Sequence, residues 1–237
     1  MALALAEAGA NVIVSSRRLV DAQRVSAELP ICVEGQQHYA VTIDHMAMEN
    51  EVVQGFVAAS KLTGAIDVLV NNGHEPTCED WKSTSADQFT RHLANATGYF
   101  VLARQTYHHA VEHRRRASVI MLGSMYGQVS SYPDVYDDVG AVNPVAYQTL
   151  KGGLLQLTRH LAVHWAKNGV RVNCLSPGPF PSDKAPRAVV DRLVQKSPMG
   201  RTGQAGELKG AVVFLASEAS SYMTGQNLVI DGGWTAW

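Results

Sequence analysis

Short apolar, β-branched runs alternate along this chain with longer stretches of helical periodicity. Residues 2–9 read as the closing turns of a helix ended by Gly9, NVIVS at 11–15 as a strand, and 19–29 as a helix stopping before Pro30. A strand at 39–43 and a helix at 48–63, closed by Gly64, come next. IDVLV at 66–70 is an almost wholly apolar strand, 85–113 a long helix, and SVIML at 118–122 another strand. Residues 125–144, rich in Gly, Pro, Asp and Ser, read as a loop before a helix at 145–168 and a strand at 170–175. Helices near 186–196 and 205–217 precede a last strand at 227–230.

Apolar strands separated by helices predict βαβ units and a parallel sheet covered on both faces. The expected fold is α/β, a doubly wound Rossmann-like sheet, with residues 1–237 as one domain. Such a sheet opens with a strand, whereas this pattern opens inside a helix. The first central strand and its glycine turn are therefore expected to be missing, leaving the chain N-terminally truncated.

Composition narrows the classes. Apolar residues at 46% and charged residues at 17% exclude a disordered chain, and a net charge of −1 offers no field for nucleic acid or an anionic membrane surface. Cys32, Cys78 and Cys174 are odd in number and never form C-x-x-C, which fits a reducing compartment. Glu7 interrupts MALALA before a signal-peptide core can form, and no run reaches the length of a membrane span. A cytoplasmic, membrane-free protein is expected.

Tyr147 and Lys151 lie four residues apart in one predicted helix, hence on one face. An ammonium beside a phenol favours the phenolate and prepares the ring for acid–base work at neutral pH. Ser124 stands at the carboxyl end of SVIML, where ligand sites of α/β sheets gather. Asn71-Asn72-Gly73 follows IDVLV, Asn95 lies in N-A-T-G-Y-F, Pro177-Gly178 follows VRVNCLS, and Asp231-Gly232-Gly233 follows NLVI. Each alone is ordinary turn or cap chemistry.

In this order the motifs make the chain resemble the short-chain dehydrogenase/reductase family over essentially its whole length. The resemblance implies that Tyr147 exchanges a proton with a carbonyl or alcohol, and that Lys151 lowers its pKa and binds the nicotinamide ribose. Ser124 would hold the substrate oxygen and Asn95 a water of the proton relay. Asp44 would lie near the adenine, with Asn71 and Gly73 along the adenosine ribose. Pro177, Gly178 and Ser182 would border the carboxamide and phosphates. Ser16-Arg17-Arg18 at the end of NVIVS offers no acid to a ribose 2′-hydroxyl, so NADP(H) is expected over NAD(H). The implied function is a carbonyl–secondary alcohol interconversion, 3-oxoacyl reductase-like or sugar/polyol dehydrogenase-like, by a homo-oligomer (dimer or tetramer). The competing reading is an inert scaffold that assembles with intact subunits.

Two departures stand out. His74 replaces the family's usual glycine after Asn-Asn-x. The 23-residue spacing from Ser124 to Tyr147 exceeds the family's pattern, and its insert carries Tyr132, Asp134, Tyr136, Asp137 and Asp138. It either shapes the substrate pocket or is a solvated excursion. The pairs His109/His113 and His160/His164 have helical metal-ligand spacing but lack a third ligand, so no metal is expected. Arg114-Arg115-Arg116 reads as a cationic helix end rather than a nucleic-acid patch. Trp234 and Trp237 read as a subunit interface or an exposed tail.

Overall fold

The computed structural model describes residues 1–76, 80–136 and 145–236. Among the described residues, six parallel strands form two separate sheets. β1 (Val12–Ser16) pairs with β2 (His38–Thr42), and β3 (Val68–Asn71), β4 (Ala117–Leu122), β5 (Val170–Pro177) and β6 (Asn227–Ile230) form the second in that order. The helices are α1 (Ala2–Glu7), α2 (Leu19–Ala27), α3 (Glu49–Thr63), α4 (Ala86–Glu112), α5 (Pro133–Tyr136), α6 (Val145–Trp165), α7 (Arg187–Lys196) and α8 (Lys209–Ala216). None among the described residues is long and apolar enough to cross a membrane.

The period of two along β4 sorts its side chains onto opposite faces. Val119 and Met121 join Val170, Val172 and Cys174 under α4 and α6, while Ile120 and Leu175 face α8 and α1. Nearly continuous burial of β4 and β5 is why these strands read as unbroken apolar runs. The Ser118 hydroxyl, also buried, donates to the Leu215 carbonyl at 2.7 Å and fastens α8 to the sheet. α1 bridges the two sheets: Ala6 packs with Val12, and Ala4 packs in the cluster that contains Val68 and Val70.

The differences from the sequence reading are local. β3 starts two residues late, and ahead of it the Ile66 N–H donates to His109 Nε2 at 3.2 Å. The expected loop 125–144 holds a 3₁₀ turn (Met125–Gly127) and α5, whose Val135 is fully buried; residues 137–144, with Asp137 and Asp138, lie outside the described residues. Residues 205–208 form a 3₁₀ turn ahead of α8.

At Gly98 on α4, a Cβ would stand 2.1 Å from the His45 carbonyl oxygen. Alanine favours a helix by up to about 1 kcal/mol over glycine, but this backbone clash is larger. Gly98→Ala is expected to lower stability by about 2 kcal/mol and move the urea midpoint down. An unchanged midpoint would contradict this close approach of α4 to the turn after β2.

Candidate active site

The carboxyl ends of the first five strands carry most of the predicted residues, while α4 carries Asn95 and α6 carries Tyr147 and Lys151. Ser124, the first residue past Gly123 at the end of β4, caps the 3₁₀ turn: its Oγ accepts from the Tyr126 N–H at 3.2 Å. That turn lies against α6, and a Cβ at Gly127 would be 2.7 Å from the Lys151 carbonyl oxygen. The close approach sets Ser124 over the first turns of α6, where its hydroxyl favours the ionised form of the Tyr147 phenol.

Lys151 lies one turn further along α6, 3% exposed, with Nζ 5.5 Å from the Tyr147 ring centre and 2.7 Å from the Leu122 carbonyl oxygen it donates to. Burial lowers its pKa to about 8. The expectation that this ammonium depresses the Tyr147 pKa needs correction. Burial raises the Tyr147 pKa; the Ser124 hydrogen bond is what opposes that rise. The ammonium sits over the ring face and spends one N–H on a carbonyl, so desolvation of the phenolate prevails.

Asn95 is 1% exposed on α4, and its amide is saturated. Oδ1 accepts from the Glu75 N–H (2.9 Å) and pairs with His45 Nε2 (2.8 Å), while Nδ2 donates to the carbonyls of Glu75 (3.1 Å) and His92 (2.8 Å). Four partners fill the side-chain amide's usual capacity and fix the segment after β3.

Asn71 is engaged in the same way. It is 2% exposed, and its Nδ2 donates to the Tyr99 carbonyl (2.9 Å) and the Met121 sulfur (3.3 Å), tying α4 to the sheet. Gly73 passes the His45 ring, and Asp44 Oδ1 caps the turn after β2 by accepting from Met46 N–H at 2.9 Å. Pro177 ends β5, the Gly178 N–H donates to the Ile230 carbonyl at 2.9 Å, and Ser182 is exposed on the following segment. Ser16 closes β1, and Arg17 forms an ion pair with Glu75 at 2.7 Å.

Three imidazoles also surround Tyr147 or Asn95. His74 stands edge-on to the Tyr147 ring at 5.5 Å and to His92 at 5.1 Å. Burial, then the Lys151 charge, lower its pKa to about 4, so it is neutral at pH 7. Sequence reading noted His74 only as a departure and missed His45, His92 and Glu75. His92 shares a helix face with Asn95, the one signal that would have drawn attention to it.

The inserted segment borders the site from the other side. Tyr132, Val135 and Tyr136 pack with Tyr126, Tyr147, Leu193 and Trp234. Asp134 points outward to Lys196 at 2.7 Å. Trp234 is 1% exposed and packs edge-on to Tyr126 and Tyr132, which corrects the exposed-tail reading for this residue; Trp237 lies outside the described residues. The rings of His109 and His113, and of His160 and His164, lie tilted against each other in pairs, and among the described residues no group of three His, Cys, Asp or Glu could hold a metal.

A nicotinamide dinucleotide fits this donor set. A buried ammonium with one carbonyl acceptor and no carboxylate partner among the described residues keeps N–H groups for ribose hydroxyls. Arg17 adds a guanidinium at the carboxyl end of β1, where such sheets meet the adenosine.

A family model described as Enoyl-(Acyl carrier protein) reductase matches residues 1–235. Galactitol 2-dehydrogenase (L-tagatose-forming) of Cereibacter sphaeroides is 30% identical over 99% of this chain and 89% of its own length. A short-chain type dehydrogenase/reductase from Mycobacterium marinum superposes with TM-score 0.86 at 31% identity, covering 100% of this chain and 89% of that one. A gluconate 5-dehydrogenase from Burkholderia cenocepacia J2315, solved with NADP and tartrate, gives TM-score 0.85 at 27% identity with the same coverage.

Proposed function

This chain belongs to the short-chain dehydrogenase/reductase family, and on that premise we propose that it oxidises a secondary alcohol of a polyol or sugar acid to the ketone, reversibly, with NADP(H). It is an oxidoreductase acting on CH–OH and C=O groups, with a Rossmann-like fold of parallel sheets. We read residues 1–237 as one such domain.

The observation that carries the reading is the Tyr147 ring with the buried Lys151 ammonium 5.5 Å from its centre and Ser124 capping the 3₁₀ turn packed on the same helix. The bound dinucleotide supplies or accepts the hydride. In reduction, Tyr147 gives its hydroxyl proton to the oxygen that becomes the alcohol. Ser124 donates a hydrogen bond to that same oxygen as negative charge gathers on it. Lys151 holds its ammonium beneath the ring and orients the ribose. In oxidation the proton returns to Tyr147. A raised phenol pKa keeps Tyr147 protonated at pH 7, the form that reduction needs, so oxidation is expected to quicken as pH rises above neutral.

Substrate class follows from polarity as much as from similarity to the galactitol and gluconate enzymes. Tyr126 and Tyr136, whose hydroxyls lie 3.0 Å apart, sit beside Tyr147 in the cluster formed by the inserted segment. Such groups suit a chain of hydroxyls.

Absorbance at 340 nm, with millimolar dinucleotide and a panel of hexitols, aldonates and 3-oxoacyl thioesters, tests the proposal. Turnover of a hexitol or aldonate with NADP⁺ is expected. Turnover of the thioesters alone would overturn the substrate class, and turnover with NAD⁺ alone would overturn the cofactor.

A further inference from the structure

The end of β1 lacks an acid in sequence, yet the fold brings one to it. Glu75, on the segment after β3, has a side chain 14% exposed, and its Oε2 accepts from Arg17 Nη1 at 2.7 Å. Its Oε1 accepts from Arg91 Nε on α4 at 2.9 Å, and Nη2 of the same guanidinium lies 2.7 Å away as an ion pair. Asn95 fixes the Glu75 backbone through both its N–H and its carbonyl. Arg18 is engaged separately, by Asp21 at 2.6 Å. The Arg17–Glu75 pair therefore spans the seam between the sheets, from the carboxyl end of β1 to that of β3, the kind of crevice where α/β sheets bind nucleotides.

We propose that Glu75 is a specificity-determining residue for the dinucleotide: by holding Arg17 across the seam, it opposes a ribose 2′-phosphate and narrows the preference for the phosphorylated cofactor. The proposal rests on the reading that adenosine lies at the end of β1 with Arg17 facing its 2′ position. A guanidinium committed to a carboxylate is free for a phosphate only in the fraction of molecules where that pair is open, and apparent affinity falls by that fraction. The incoming phosphate also meets the charge of Glu75 itself. Arg91 makes the clasp releasable, because the carboxylate keeps one guanidinium when Arg17 leaves. Removing Arg91 should then tighten the hold of Glu75 on Arg17.

Calorimetric titration of 2′,5′-ADP and of 5′-AMP into the full chain and three variants tests this. Glu75→Gln is expected to tighten 2′,5′-ADP by about tenfold and to move 5′-AMP by less than about twofold. Arg91→Ala is expected to shift 2′,5′-ADP the opposite way, which a merely structural role for Glu75 would not produce. Arg17→Ala should weaken 2′,5′-ADP and spare 5′-AMP. If Arg17→Ala weakens 2′,5′-ADP but Glu75→Gln does not tighten it, the clasp is overturned while the phosphate reading stands. If Arg17→Ala changes nothing, or no protein binds either nucleotide, the phosphate reading falls and the clasp with it.

Discussion

Tyr147→Phe is expected to reduce turnover by about a thousandfold or more while dinucleotide affinity stays within about twofold. The substitution removes one hydroxyl and keeps the ring that packs between His74, His92 and the cluster around Trp234. Positioned general acids contribute about 10²–10⁴ in rate, and among the described residues no other side chain is placed to do the same work. His74 is the nearest rival, and its lowered pKa leaves it without a proton to give as an imidazolium at pH 7. Lys151 holds its ammonium over the ring face and donates to Leu122. Single-turnover rates at saturating cofactor isolate the chemical step. A residual rate within tenfold of wild type would remove Tyr147 as the proton donor.

The order of strands and helices was legible because a parallel sheet buried on both faces writes itself as apolar runs, and β4 and β5 are such runs. Tyr147, Lys151 and Ser124 were legible for a related reason: helical spacing and a strand end place them without knowledge of the tertiary fold. What sequence spacing does not encode is which polar groups consume one another. Asn95 and Asn71 matched a pattern, yet their amides are spent inside the protein. The Arg17–Glu75 pair joins residues 58 apart in sequence across two sheets, and no periodicity announces it. The packed segment 125–136 was hidden by its turn-forming composition, although a proline opens α5 and tyrosines flank it. Trp234 escaped because a residue near a chain end carries no pattern, and only the pocket formed by Tyr126 and Tyr132 explains its burial.

Lys151→Met separates stability from function at the same site. Burial lowers the Lys151 pKa from its usual 10.5 to about 8. Between those values the unfolded chain holds a proton that the folded chain has released, so stability rises with pH through that window. Below about pH 8 the folded state bears the whole penalty of the buried ammonium, on the order of 3 kcal/mol by this linkage. Methionine keeps an unbranched apolar stem and removes the charge, and its loss of the Leu122 hydrogen bond costs about 1 kcal/mol. The variant is therefore expected to be more stable than wild type at pH 7 by about 1–2 kcal/mol, a rise in Tm of several degrees, while turnover falls at least about a hundredfold. Its advantage should shrink as pH climbs from 8 toward 10, where wild-type Lys151 is neutral when folded. A Tm below wild type at pH 7, or a gap that widens with pH, would mean that the ammonium is stabilised where it sits, and that its retention needs no catalytic explanation.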